Sequence, residues 1–396
     1  LRIAVLVKTN EGGDWIPSQA QELRRRGHHV TVIMPPGPGR LRHDLQRLGI
    51  DTADSPFGFG FRPRPATLRQ LWRLRRLIRD LRPDVLNYHL HAATLAGRLA
   101  SVGLRLRRVH MVAGPLHLES TLVRAAERLL WRMDHLIVCC TEHISRLYGA
   151  LGCPAARRPV AQYGIDLEYF TPPPDAGPGP SRRAKARAEI GVPEDVFLAV
   201  MVSWVYEPKR LAYHGRGIKG QDVLLEAWPA FHARHPRSHL LLIGEGNTPV
   251  AEAYRQSLIR RFGVADDPGV TWLGWVPDLR PYYTAADVSV TPSLVEGSNR
   301  VVREASAMQV PSIVSDAGGL PEAVDDTCGW VVPRGEPSAL AGALGAAHRE
   351  FVTTGLTARA ERARDRARRV FDHRESARRV ADLVERAADA GRGATR

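Results

Sequence analysis

Two glutamates, Glu296 and Glu304, flank a short polar turn, Gly297-Ser298-Asn299-Arg300-Val301. Ionised carboxylates accept strong hydrogen bonds, so two in one segment suit a ligand rich in hydroxyl groups. Gly297 lets the backbone approach such a ligand closely. A helix beginning near Asn299 would turn its free N–H groups and its dipole toward the same loop, which favours a phosphate there. Gly318-Gly319 supplies a second loop that permits close approach. These residue types describe one pocket for a ligand carrying both hydroxyls and phosphate.

The segment that carries them, residues 287–322, reads as strand, loop, helix and strand. Residues 2–7, 30–34, 84–88, 109–113 and 136–140 read as earlier strands, with helical stretches between them such as 16–26, stopped by Gly27. The run TPPPDAGPGP at 171–180 can be neither helix nor central strand. Alternation then restarts: 196–202, 240–243, 270–273, 287–291 and 312–314 read as strands, and 222–234, 250–262 and 301–308 as helices. Strands separated by helices imply parallel sheets. The expected class is therefore α/β, with two Rossmann-like domains facing each other across a cleft and ligands outside the carboxyl ends of the strands. The expected division is 1–170, a linker at 171–190, 191–373, and a C-terminal helix and tail at 374–396 that packs back toward the N-terminal domain.

The segment 287–322 resembles the signature of family 4 glycosyltransferases, PS-x-x-EG-x-G-x-x-x-x-EA-x-A-x-G-x-P. Pro292, Ser293, Glu296, Gly297, Glu304, Ala305, Ala307 and Pro311 match it, and Gly318, Gly319, Pro321 and Glu322 match the GG-x-PE that follows. Two positions depart. Asn299 stands at a family Gly, and Asn tolerates a positive φ better than most residues. Gln309 stands at a second family Gly, and the sequence offers no reading of it. The resemblance implies a GT-B fold, a retaining mechanism and a nucleotide-sugar donor, UDP-linked by the family's habit. It implies that Glu304 holds the donor ribose, that Glu296 meets hydroxyls of the donor sugar, and that amides around Ser298, Asn299, Arg300 and Val301 meet the diphosphate. Lys219-Gly220-Gln221-Asp222 resembles the family's Lys-Gly-x-Asp, which makes Lys219 a diphosphate ligand. The family's Arg falls among Lys209, Arg210 and Arg216, with Arg210 the choice made. Gly244 in LLIGEG and Val276 in Gly-Trp-Val resemble the turn and backbone beside the nucleotide.

The N-terminal half resembles the family less closely. Gly12-Gly13 follows the first strand, where the family places a loop facing donor and acceptor. Histidines cluster at 89, 91, 110 and 117. The family's His-Gly reads Ala113-Gly114 here, so His117 is taken as the substitute near the donor sugar, and His110 is expected to point into the fold. Glu296, Lys219, Arg210 and His117 are thus the catalytic candidates.

Composition bounds the rest. The chain of 396 residues carries a formal net charge of +14. No nucleic-acid reading motif accompanies that charge, so nucleic acid is set aside. Residues 68–82 alternate Leu or Ile with Arg at helical spacing, which suits a helix on the sheet with a basic solvated face, or attachment to acidic lipid. Cys139, Cys140, Cys153 and Cys328 lack metal-ligand spacing and are expected as buried thiols of a reducing cytosol. Residues 1–7 are too short for a secretory signal, so a cytoplasmic place, open to peripheral contact at the inner membrane face, is expected. No Asp-x-Asp triplet occurs, so metal-independent transfer without a cofactor is expected, to a metabolite, glycan or lipid hydroxyl. A nucleotide-sugar epimerase, or a non-catalytic sugar-nucleotide binder, would share these features.

Overall fold

Ile3-Ala4-Val5-Leu6-Val7 and Phe197-Leu198-Ala199-Val200-Met201 are continuous apolar runs, the pattern of strands covered on both faces. Each forms a central strand of a parallel sheet in the computed structural model, which describes residues 1–61, 64–174, 181–208 and 215–392. The chain forms two units, one of residues 1–164 with 372–396, the other of residues 165–371.

Unit 1 runs β1 (Arg2–Val7), α1 (Ile16–Arg25), β2 (His29–Met34), α2 (Arg40–Arg47), β3 (Asp51–Asp54), α3 (Pro65–Leu81), β4 (Val85–His89), α4 (His91–Ala100), β5 (Arg107–Val112), α5 (Thr121–Leu130), β6 (Leu136–Cys139) and α6 (Glu142–Ala150). Its strands lie in the order β3-β2-β1-β4-β5-β6, all parallel. Unit 2 runs α7 (Arg182–Glu189), β7 (Phe197–Val202), α8 (Gln221–His232), β8 (Ser238–Ile243), α9 (Pro249–Arg261), β9 (Val270–Leu273), α10 (Arg280–Ala285), β10 (Val288–Thr291), α11 (Arg300–Ala307), β11 (Ser312–Ser315), β12 (Gly329–Val332), α12 (Pro337–Thr353) and α13 (Thr357–Val370). Its order, β12-β11-β10-β7-β8-β9, is again all parallel. The last helix, α14 (His373–Arg392), returns to unit 1 and packs on α1, β5 and β6. The fold is thus two Rossmann-like α/β domains.

The order of strands reverses between β1 and β4 in unit 1 and between β7 and β10 in unit 2. At such a switch point the loops leaving neighbouring strands diverge and open a crevice at the carboxyl ends. The unit border falls earlier than the expected 170. The Ile165 N–H donates to Phe371 O at 2.8 Å, and Ile165 and Phe170 pack in the unit 2 core, so residues 165–170 belong to unit 2. So does α7, which lies in the stretch expected as linker; residues 175–180 of that stretch lie outside the described residues.

In α3, Leu74 and Ile78 are wholly buried on the sheet while Arg69, Arg73 and Arg76 face solvent. All four cysteines are buried, and none forms a disulfide. Among the described residues no helix is long and apolar enough to cross a membrane.

Candidate functional site

The unit 2 switch point is closed by two loops. The loop after β7 delivers Lys219, and the loop after β10 delivers Glu296. They are tied by the Leu294 N–H donating to Ile218 O at 2.8 Å. Gly220 adopts a positive φ of 75°, and a Cβ there would lie 2.1 Å from Pro292 O, so only glycine lets the loops meet this closely. Gly318 does the same for Glu296: its φ is 59°, and a Cβ would stand 1.9 Å from Glu296 O.

Lys219 Nζ and Glu296 Oε2 are 2.5 Å apart. Asn299 Nδ2 donates to the same carboxylate oxygen at 3.0 Å, and Ser293 Oγ at 3.4 Å. Burial opposes both charges, yet their attraction prevails. The Lys219 ammonium is held above its ordinary range and the Glu296 carboxyl below its own. The residues expected to meet phosphate and sugar are therefore partners of one another.

Asn299 also starts α11. Its Oδ1 accepts from the Val302 N–H at 3.2 Å, an N-cap that satisfies one of the helix's first donors. Its φ is −77°, so the conformation suggested for it is absent. The left-handed residue is Gln309, at φ 62°, where α11 turns into β11. The family glycine that a positive φ requires is thus the one Gln309 replaces, and its Oε1 accepts from Arg182 Nη2 at 2.7 Å. The buried Ser298 Oγ, between Gly297 and Asn299, has no hydrogen-bond partner among the described residues.

Glu304 lies one turn along α11 and is 2% exposed. Arg300 Nε donates to its Oε1, and Tyr283 Oη approaches its Oε2 at 3.3 Å. Burial raises the Glu304 carboxyl above its usual range against the pull of Arg300. Tyr283, in α10, carries no sequence signal for this contact. Val301 O lies 3.5 Å from the same tyrosine hydroxyl.

Gly244 directly follows β8, its carbonyl accepting from Trp272 Nε1 at 3.0 Å. Val276 packs on the unit 2 core beside it in the next loop. Lys209 and Arg210 lie outside the described residues. Arg216 is committed to α8, at 2.8 Å from Glu226 and 3.6 Å from Asp222.

In unit 1, Gly12 and Gly13 form the loop after β1, and the Ile16 N–H donates to Gly13 O at 2.8 Å. His89 ends β4, and its Nδ1 accepts from Trp15 Nε1 at 3.0 Å. Burial pushes its imidazole down to about 3. His117 stacks on His91 with ring centroids 4.6 Å apart, and its Nε2 is 3.3 Å from Tyr148 Oη. Burial, then the neighbouring His91 and Arg98, push His117 down to about 3, so its imidazole is neutral at pH 7. Beneath the pair lies a buried network the sequence did not reveal. Tyr148 Oη donates to Glu127 Oε1 at 3.1 Å, and Arg98 holds Glu127 through two bonds of 2.7 Å and Asp134 Oδ2 at 2.6 Å. His110, as expected, points into this network and is 1% exposed.

Comparison with known proteins gives consistent results. The model of Glycosyltransferase Family 4 matches residues 18–169, and that of Glycosyl transferases group 1 matches residues 208–350. A D-inositol 3-phosphate glycosyltransferase of Catenulispora acidiphila is 29% identical over 273 residues, 66% of this chain and 58% of the relative. One from Corynebacterium kroppenstedtii is 34% identical over 229 residues, 56% of this chain and 46% of the relative. The chain thus spans about half the length of the curated relatives it matches. Among solved structures, Anabaena HepE in complex with UDP and glucose superposes with a TM-score of 0.78 at 22% identity, covering 97% of this chain and 99% of that one. A glycosyltransferase of Rickettsia africae gives 0.77 at 18% identity, covering 98% of each.

Proposed function

The chain belongs to the group 1, family 4 glycosyltransferases, and from that premise we propose that it moves a sugar from a nucleotide-diphosphate donor to an acceptor hydroxyl with retention of configuration. The observation that carries this reading is the Lys219–Glu296 pair at 2.5 Å beside the N-terminus of α11. An incoming diphosphate takes over the Lys219 ammonium and the first N–H groups of α11, with Ser298 Oγ as a further donor. Glu296, released from Lys219, accepts hydroxyls of the sugar. Glu304 shares itself between Arg300 and the ribose.

In the transfer, the bond from the anomeric carbon to the diphosphate oxygen breaks. A bond to the acceptor oxygen forms on the same face, and the acceptor proton passes to the departing phosphate oxygen. Charge grows on that phosphate in the transition state, so a fixed ammonium and helix dipole lower the barrier. In this reading they supply the positive charge without a metal. A UDP-linked sugar is the first donor to test, since HepE has been solved with UDP-glucose. The relatives named for D-inositol 3-phosphate make a polyol phosphate the first acceptor to test.

The test is a thermal-shift screen of UDP-, GDP-, ADP- and TDP-sugars. A donor at about a hundred times its Kd stabilises the fold by about 2.7 kcal/mol, or roughly 5–10 °C for a domain of this size. Glu304→Ala should abolish that shift. No shift with any donor, or an undiminished shift in the variant, contradicts the reading.

A further inference from the structure

A helix joining neighbouring parallel strands normally turns its apolar stripe onto the sheet. The helix α5, between β5 and β6, does the reverse. Its one buried residue is charged, Glu127, while Leu122 and Leu129 are 79% and 71% exposed. Ala125 and Ala126 lie exposed between them, so a complete i, i+3, i+4, i+7 stripe faces outward. Arg98 of α4 explains the inversion, because its two bonds to Glu127 draw the helix's only acid inward.

The outer surface of α5 therefore carries leucines flanked by Arg124 and Arg128 and no acid. Arg132, in the turn that follows, leads into a cavity of about 640 Å³ that Arg107, Arg108, Arg157 and Arg386 also line. Asp134 is the one acid on its wall among the described residues, and it is wholly buried and committed to Arg98 and Tyr88. The neighbouring helices extend the pattern. α3 and α4 pack in one core cluster on this sheet, and α3 presents Leu68 and Trp72 at 71% and 60% exposure among its arginines.

We propose that α5 and the adjoining arginine cavity form a docking surface for an anionic phospholipid bilayer. Leu122 and Leu129 enter the headgroup–acyl boundary, and the cavity's guanidinium groups take headgroup phosphates. Charge decides between this partner and a second copy of the chain. Two α5 faces brought together would oppose arginine to arginine with no exposed acid on the helix to pair them. The inference rests on unit 1 alone and does not depend on the donor reading.

Flotation of the full chain with vesicles tests it, comparing phosphatidylcholine alone with a mixture containing about 30% phosphatidylglycerol. The protein should float with the acidic vesicles at least tenfold better than with the neutral ones. The Leu122→Asp/Leu129→Asp variant should lose that binding about tenfold, and Arg107→Ser/Arg386→Ser should also weaken it. Both variants should keep the wild-type melting temperature and urea-unfolding midpoint, which separates lost docking from misfolding. Equal flotation with neutral and acidic vesicles, or wild-type flotation of the leucine variant, overturns the proposal. So does a dimer in solution that Leu129→Asp dissolves while vesicle binding is absent.

Discussion

Units 1 and 2 share a sheet order mirrored only in numbering, yet their ions stand in different places. Past the carboxyl ends of β7 and β10, the side chains of Lys219 and Glu296 are 19% and 12% exposed. In unit 1, Arg98, Glu127 and Asp134 are at most 1% exposed beneath the helices. Unit 2 has a sealed pair as well, Arg187–Asp287, but at the start of β10, the end of the sheet away from the site. A pair that water and ligand can reach is free to exchange partners. A sealed network holds elements together and positions what rests on it, here the His91–His117 stack.

Removing one ion from the sealed network should show the largest effect. Arg98→Ala leaves two buried carboxylates without their cation, which costs about 3–5 kcal/mol. Urea unfolding should register that loss. A cost below about 1 kcal/mol would mean the network is wetter than its burial indicates, and the contrast between the units would fail.

Next comes the exchangeable pair. Lys219→Gln removes a charge-assisted contact to the donor diphosphate worth about 2–3 kcal/mol, so donor affinity should fall roughly 30- to 150-fold. Stability of the free protein should change far less, since Asn299 and Ser293 still donate to Glu296. Calorimetric titration beside urea unfolding separates the two effects. A stability loss as large as that of Arg98→Ala would place Lys219 with the sealed ions instead.

Acid should then distinguish the units. His89 has an ordinary value of 6.5 and is pushed down to about 3 in the fold. The unfolded chain therefore takes the proton first: its contribution is complete above about 6.5 and is lost progressively as pH falls toward 3. At pH 5 this amounts to about 2 kcal/mol. Glu304 in unit 2 acts in the opposite sense. Its raised carboxyl makes the folded state bind the proton more tightly, so its contribution is greatest at acid pH and declines as pH rises through the ordinary carboxylate range. Unfolding between pH 7 and 5 should have a shallower pH dependence in His89→Gln than in the wild type. An unchanged slope would remove His89 from the account.

The same contrast explains what the sequence disclosed. Glu296, Gly297, Ser298, Asn299 and Glu304 come from one strand–loop–helix segment, so their spacing already implied a shared pocket. The network of Arg98, Glu127, Asp134 and Tyr148 gathers residues from α4, α5, the turn before β6 and α6. No spacing along the chain relates them. Tyr283 reaches Glu304 from α10 and was equally silent. The reading of the two departures from the signature was inverted for a local reason. Asn at 299 looked like a tolerated positive φ, whereas its side chain caps α11 and braces Glu296. Gln309 offered no reading, yet it occupies the left-handed turn. The helix α13 went unread because small residues carry its buried face, Ala363 and Ala367 between exposed charges. The unit border was displaced because proline marks where a chain cannot be regular, not where its contacts change sides.

The smallest expected effect is the sharpest test of the exchangeable site. A buried hydroxyl without a partner costs the folded state something, and Ser298 Oγ is such a group. If it waits for a phosphate oxygen, Ser298→Ala should leave the free protein unchanged or up to about 1 kcal/mol more stable. The same change should weaken donor binding by about tenfold, the lower end of the worth of a hydrogen bond to a charged group. Opposite signs for the free and bound protein are what distinguish a ligand's donor from a packing residue. A loss of stability with unchanged donor affinity would make Ser298 part of the loop's own structure, and the resemblance between this loop and the sealed interior of unit 1 would be closer than its exposure suggests.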